Sequence, residues 1–287
     1  MDGLGVPLVT PFDEDGGVDQ DRLRELVAWV TDRGVDFLVP CGSTSEAPLL
    51  SVDERTRVID VVADAADVPV LAGTGHAGYR ETVRQTRRAV EAGADAALVV
   101  TPYYYSHGQD ALAAYYREVA DAVDCPVYLY SVPKFTHVAL DPGPVEELAG
   151  HENVAGMKDS SGDLEALQRT YRRAADFDLL VGSGSVFAHG LAAGADGGIL
   201  ALANVAPDAA SDVYDRHEAG DGTAARELNA DLVNLNRAIT AEYGVPGLKA
   251  AMRMRGAPAG YPRRPFRSVD EAAEAELADL LDDAGLS

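Results

Sequence analysis

Lys158 is the first residue whose chemistry stands out. It ends an apolar segment, Val154–Lys158, and the 287-residue chain holds just two other lysines, Lys134 and Lys249. On an extended strand Lys158 shares parity with Val154 and Gly156, so all three face one way. A lysine directed into a protein interior is costly to bury charged, which favours the neutral amine as a nucleophile toward a carbonyl. Two bland alternatives stand beside this: an ammonium that reaches out to water, or an ion pair with Asp159. Arginine would serve a structural pairing equally well, and the other basic residues are all arginine. Tyr130 ends the preceding apolar segment. Its phenol can pass protons to and from a bound carbonyl compound, or it can be a core tyrosine with a satisfied hydroxyl. In Gly42-Ser43-Thr44-Ser45-Glu46, Ser43 and Thr44 offer hydroxyls and backbone N–H groups ahead of a helix. That is a seat for a carboxylate, or a plain N-cap. Lys134, on a loop after a proline, and Lys249, on a helix, fit ordinary roles. The six histidines show no metal-ligand spacing, so neither metal nor cofactor is expected. Cys41 reads as a small buried hydrophobe.

The elements that must position these residues alternate regularly. Apolar, β-rich segments are Gly5–Thr10, Phe37–Pro40, Val70–Gly73, Ala97–Val100, Val127–Tyr130, Val154–Lys158, Leu179–Gly182 and Gly198–Leu202. Their spacing of roughly 20 to 33 residues leaves room for one helix between each pair. Continuous apolar runs are the mark of strands covered on both faces. Helical periodicity fills the intervals. Asp19–Arg33 places Leu23, Leu26, Val27 and Val30 on one face, and Ser51–Ala66 opens with a capping-box spacing. Arg80–Ala92, Asp110–Val123, Leu164–Ala175 and Phe187–Ala193 follow the same pattern. Gly or Pro marks the returns to strand, as in Arg33-Gly34, Val68-Pro69 and Cys125-Pro126. Thr10-Pro11-Phe12-Asp13 follows the first strand in place of a glycine-rich turn, and no P-loop occurs anywhere, which argues against an open nucleotide-binding sheet.

Eight βα units in line predict an α/β fold, a (β/α)₈ TIM barrel with a C-terminal helical appendix. The barrel core spans 1–206. The eighth barrel helix and the C-terminal helices occupy 207–287 of the same domain, over about Pro207–Glu218, Thr223–Ala241, Pro246–Arg255 and Ser268–Leu281, with Gly256–Pro265 as a linker. Barrel sites form at the C-terminal ends of the strands. Those ends carry Gly42–Glu46, Thr101-Pro102-Tyr103-Tyr104-Tyr105, Tyr130, Lys158 and Gly182-Ser183-Gly184, so polar and glycine residues collect at one rim.

The charge balance narrows the partners. With 47 acidic against 24 basic residues the net charge is −23. Such a surface repels nucleic acid and anionic membranes. Acidity with so few lysines fits a salt-rich cytoplasm, where the Debye length shrinks to about 3 Å at 1 M salt. Met1–Val6 has neither the basic nor the apolar region of a signal peptide, and two cysteines, Cys41 and Cys125, suit free thiols in a reducing, cytoplasmic setting. No apolar run approaches the roughly 20 residues needed to span a bilayer.

The stretches Pro7–Asp13, Gly42–Glu46, Thr101–Tyr104, Tyr130–Pro133, Gly156–Asp163 and Gly197–Ala206 together resemble the dihydrodipicolinate synthase and N-acetylneuraminate lyase family, over essentially the full length. The resemblance implies a class I, metal-free aldolase with pyruvate bound as a Schiff base on Lys158 and a proton relay through Tyr130. It implies the carboxylate at Ser43 and Thr44, Gly182 and Ile199 lining the pocket, and Tyr104 reaching a neighbouring subunit's site. The family implies a homotetramer, built as a dimer of dimers. Dihydrodipicolinate synthases carry arginine where Phe135 stands, gripping the carboxylate of aspartate semialdehyde. Its absence removes a bidentate contact. The triple tyrosine Tyr103–Tyr105 resembles the family's sugar-acid aldolases, so Tyr103 and Tyr105 join the expected substrate-binding residues. The expected reaction is therefore reversible cleavage of 2-keto-3-deoxygluconate, or its 6-phosphate, to pyruvate and glyceraldehyde or its phosphate, as in the Entner–Doudoroff route. The alternatives are 4-hydroxy-tetrahydrodipicolinate synthase and 4-hydroxy-2-oxoglutarate aldolase. A binding barrel that has lost catalysis would not need both Lys158 and Tyr130.

Overall fold

A computed structural model describes residues 1–174 and 177–286. Its eight parallel strands are β1 (Gly3–Val6), β2 (Phe37–Leu38), β3 (Leu71–Gly73), β4 (Ala96–Val100), β5 (Val127–Ser131), β6 (Val154–Asp159), β7 (Asp178–Val181) and β8 (Gly197–Ile199). Apart from β2 and β3, each pairs with its sequence neighbours, and β1 pairs with β8. The seam between β2 and β3 is held by Leu38 N–H to Pro69 O (2.9 Å) and Gly73 N–H to Pro40 O (2.8 Å), with a parallel bridge between Leu38 and Val70. The sheet therefore closes into the (β/α)₈ barrel, which removes its edges.

Alternation explains why the strands read as continuous apolar runs. On β5, Val127 and Leu129 pack outward beneath the helices, while Tyr128 and Tyr130 join Phe37, Leu71, Leu98, Leu180 and Ile199 inside the barrel. The expected parity on β6 fails at Val154. The register jumps from Val127↔Val154 to Tyr128↔Gly156, so a bulge at Ala155 places Val154 in the outer layer. Gly156 and Lys158 keep the inward parity; a Cβ on Gly156 would meet the Tyr128 ring at 2.6 Å. The floor of the barrel is closed by the N-terminus, whose ammonium donates to Tyr128 Oη (2.8 Å) and to Asp178.

Helices α1 (Gln20–Thr31), α2 (Val52–Ala65), α3 (Tyr79–Glu91) and α4 (Gln109–Asp121) lie where the periodicity puts them. Leu23, Leu26, Val27 and Val30 are buried, and the Ser51–Glu54 capping box forms in both directions. Two helices escaped the pattern: α5 (Pro133–Thr136) and α6 (Pro142–Ala149). Pro142-Gly143-Pro144 resembles a loop, yet proline at the first helical position leaves no hydrogen bond unmade. Helix α7 (Leu164–Arg173) stops short of the expected end at Ala175, which lies outside the described residues. Helices α8 (Phe187–Ala192) and α9 (Pro207–Glu218) complete the ring.

The first and last strands are shorter than expected. β1 stops at Val6 because Pro7 cannot donate to the ladder, and β8 gives way to a 3₁₀ turn over Ala201–Asn204. The expected helix Thr223–Ala241 divides into α10 (Gly222–Arg237) and a π-helical turn, Ala238–Glu242. Helix α11 (Gly244–Met254) and helix α12 (Glu271–Asp283) follow, with α12 packed on α10 and α11; Ser287 lies outside the described residues. Among the described residues no helix is long and apolar enough to cross a membrane.

Candidate active site

Tyr130 and Lys158 are register partners on adjacent strands, both directed into the mouth of the barrel, and each is 5% exposed. The Lys158 Nζ stands 4.4 Å from the centre of the Tyr130 ring, within cation–π range. The bland alternative of a Lys158–Asp159 pair is not realised. Asp159 faces away, and its carboxylate accepts from Ser161 N–H (2.8 Å) and Ser161 Oγ (3.0 Å), while burial raises its pKa above the ordinary value.

Around the pair lies a cavity of about 540 Å³ lined by Ser43, Thr44, Gly182 and Ile199 as well as Tyr130 and Lys158. Five strand exits thus converge on one space. Gly182 is required there, because a Cβ would meet Ser160 Oγ at 1.9 Å. A second lobe of about 310 Å³ shares Ser43, Tyr130 and Phe135 with the first, and is walled by Leu98, Val100 and Tyr103. Tyr103 therefore reaches the site's apolar lobe. Tyr104 and Tyr105 do not line either lobe: they are 85% and 72% exposed and stack edge to face at 5.1 Å. Tyr104 holds φ +82, in the left-handed region, a strained backbone that turns its ring out of its own chain's site. Cys41 borders the apolar lobe as a free thiol, and burial pushes its pKa up to about 12, away from thiolate chemistry.

Ser43 and Thr44 are not N-caps. The turn that follows is a 3₁₀ segment, Ala47–Leu49, without a side-chain cap, and α2 is capped by Ser51. What holds their loop is Ser45, whose Oγ accepts the Gly42 N–H (3.1 Å) and donates to Leu8 O, while Thr10 Oγ1 donates to Ser45 O (2.8 Å). Glu46 follows in the left-handed conformation at φ 58. Lys249 has a structural role, in a buried ion pair that the sequence did not show. Its side chain is fully buried and donates to Glu46 Oε1 (2.6 Å), Thr10 O (2.7 Å) and Tyr261 O (2.7 Å). Burial lowers its pKa to about 8 against the opposing pull of Glu46. No spacing rule could pair residues so far apart in the chain.

The outer wall of the cavity was also missed from sequence. Ile239, Thr240, Glu242, Tyr243, Val245 and Leu248 line it, from the π-helical turn and the start of α11. Tyr243 N–H bonds back to Ala238 O at 2.9 Å, the wider spacing that swings this turn toward the barrel mouth. Lys134 sits at the same wall, its Nζ donating to Thr240 O at 2.7 Å, beside the 56%-exposed Phe135. Among the described residues no three His, Cys, Asp or Glu side chains gather to hold a metal ion.

Comparison with known proteins identifies the family. The dihydrodipicolinate synthetase family matches residues 1–284. A 4-hydroxy-tetrahydrodipicolinate synthase of Methanothrix thermoacetophila is 39% identical over 281 residues, covering 97% of this chain and 95% of that protein. An uncharacterized DapA-like lyase of Halobacterium salinarum is 38% identical over 286 residues, 98% of this chain and 94% of its own. Among solved structures, a chloride-inhibited dihydrodipicolinate synthase from Acinetobacter baumannii complexed with pyruvate superposes with a TM-score of 0.95 at 35% identity, covering 100% of this chain and 99% of that one.

Proposed function

Because this chain belongs to the dihydrodipicolinate synthetase family, we propose that it is a lyase that binds pyruvate as a Schiff base on Lys158. The carrying observation is the buried Lys158 amine over Tyr130, in a cavity that also presents Ser43 and Thr44. The amine attacks the keto carbon, water leaves, and an iminium forms. Loss of a C3 proton gives an enamine that adds to an aldehyde carbon; run backwards, the same steps cleave the C3–C4 bond. The iminium is the electron sink. Tyr130 relays the protons, Ser43 and Thr44 seat the carboxylate, and Gly182 and Ile199 shape the pocket. Tyr104, turned out of its own site, suits completion of a partner subunit's site in a homotetramer.

For the aldehyde partner, our first reading is aspartate semialdehyde, giving 4-hydroxy-tetrahydrodipicolinate. The relative of that name supports it, and so does Lys134, an ammonium at the cavity wall able to pair the semialdehyde carboxylate. This reverses the order that Phe135 and the triple tyrosine suggested. Phe135 still favours a second reading, cleavage of 2-keto-3-deoxygluconate or its 6-phosphate, because its ring lines both lobes and offers a carboxylate no partner. Two measurements test the proposal. Borohydride with pyruvate should inactivate the enzyme and label Lys158; label on Lys134 or Lys249 refutes the mechanism. Then kcat/KM for the condensation should exceed that for cleavage of the sugar acid, its 6-phosphate and 4-hydroxy-2-oxoglutarate. Faster sugar-acid cleavage would establish the second reading instead.

A further inference from the structure

We infer that the buried Glu46–Lys249 ion pair is a positioning device that sets the carboxylate seat of the active site. The inference rests on the reading of Ser43 and Thr44 as that seat. Both side chains of the pair are fully inaccessible, and all the polar valences count. The three protons of the Lys249 ammonium go to three separate segments: Glu46 at the end of the seat loop, Thr10 O after β1, and Tyr261 O in the strap following α11. The second Glu46 oxygen accepts the Arg263 N–H at 2.8 Å. Lys249 itself belongs to α11, whose residues Val245 and Leu248 face the cavity. The pair thus ties the seat on one side of the cavity to the wall on the other.

The energetics favour positioning over bulk stability. A buried pair gains little over apolar residues of the same volume, because both charges lose their hydration. What it supplies is geometry: an ammonium satisfied by three fixed acceptors has one arrangement. Glu46 needs that restraint, since a non-glycine residue at φ 58 is strained and persists only when its surroundings hold it. Released, the loop can relax toward ordinary backbone angles and carry Ser43 and Thr44 with it. A seat moved by about 1 Å no longer meets the carboxylate at hydrogen-bond distance, so binding weakens while the amine and the keto carbon still meet.

The test uses the full-length enzyme and two variants. Glu46→Gln/Lys249→Met removes both charges together, avoiding a single buried charge left without its partner. Thr10→Val removes the hydroxyl that ties Thr10, an acceptor of Lys249, to Ser45 O of the seat loop, and changes volume little, so it keeps the test open if the double variant does not fold. The KM for pyruvate should rise about tenfold or more in the double variant and at least threefold in Thr10→Val, as the hydrogen bonds to the carboxylate weaken. With pyruvate saturating, kcat should stay within about threefold and borohydride should still label Lys158. Any folded variant of either kind with the wild-type KM overturns the inference, as does a fall in kcat at unchanged KM. Failure of the wild-type enzyme to label at Lys158 overturns the Schiff-base reading itself, a separate result.

Discussion

Glu54→Gln should weaken the enzyme by an amount that depends on pH in a specified way. Glu54 clamps the strap that leads to Phe266 at the cavity. Its oxygens take Arg263 Nη2 and Nη1 (2.9 Å), and Oε2 also accepts the Ser51 N–H (2.8 Å). The Arg263 hydrogen bond, outweighing burial, holds the Glu54 carboxyl at about 2, below its ordinary 4.5. At about 1.4 kcal/mol per pH unit, that difference corresponds to a ceiling of about 3 kcal/mol. The Glu54 side chain is 31% exposed, so solvent screening reduces the figure to about 1–2 kcal/mol. The folded state binds this proton more weakly than the unfolded chain. The contribution is therefore complete above pH 4.5 and is lost as pH falls toward 2. Glutamine keeps the capping-box role, so the substitution isolates the charge. Thermal unfolding of both proteins across pH should show a Tm gap of about 2–8 °C near neutrality. The gap should narrow below pH 4.5 and close near pH 2. A gap that stays constant down to pH 2.5 would refute the clamp.

Tyr130→Phe should keep the fold and lose about 10²-fold or more in kcat, the usual loss for an acid–base group, with borohydride labelling of Lys158 retained. An unchanged rate would reduce Tyr130 to a core residue. The net charge of −23 with three lysines predicts stabilisation by molar potassium chloride, since self-repulsion is then screened. The unfolding midpoint should rise along a salt series, and a flat or falling trend would remove salt adaptation as the reason for the acidity.

The barrel was legible because its cause is local. A strand covered on both faces must be apolar throughout, and a helix on the outside must repeat every 3.6 residues. Both demands are written into neighbouring residues such as Val127–Tyr130 and Leu23–Val30. Lys158 stood out for the same reason: one lysine at the end of an apolar run has few structural uses. Where the sequence misled, the missing information was not local. Parity put Val154 beside Lys158, but a bulge set by pairing with β5 turned it outward. Helix α6, Pro142–Ala149, was not read from the sequence, because its eight residues are too few to show a period. The outer wall of the cavity depends on a π-helical turn, one extra residue per turn that no periodicity marks. By itself, then, the sequence determined the eightfold alternation and the residues able to do chemistry at one rim. Only the tertiary structure decided which of them share a cavity. It turned Tyr104 and Tyr105 away from it and joined Glu46 to Lys249 beside it, because burial and long-range contact depend on the folded path of the whole chain.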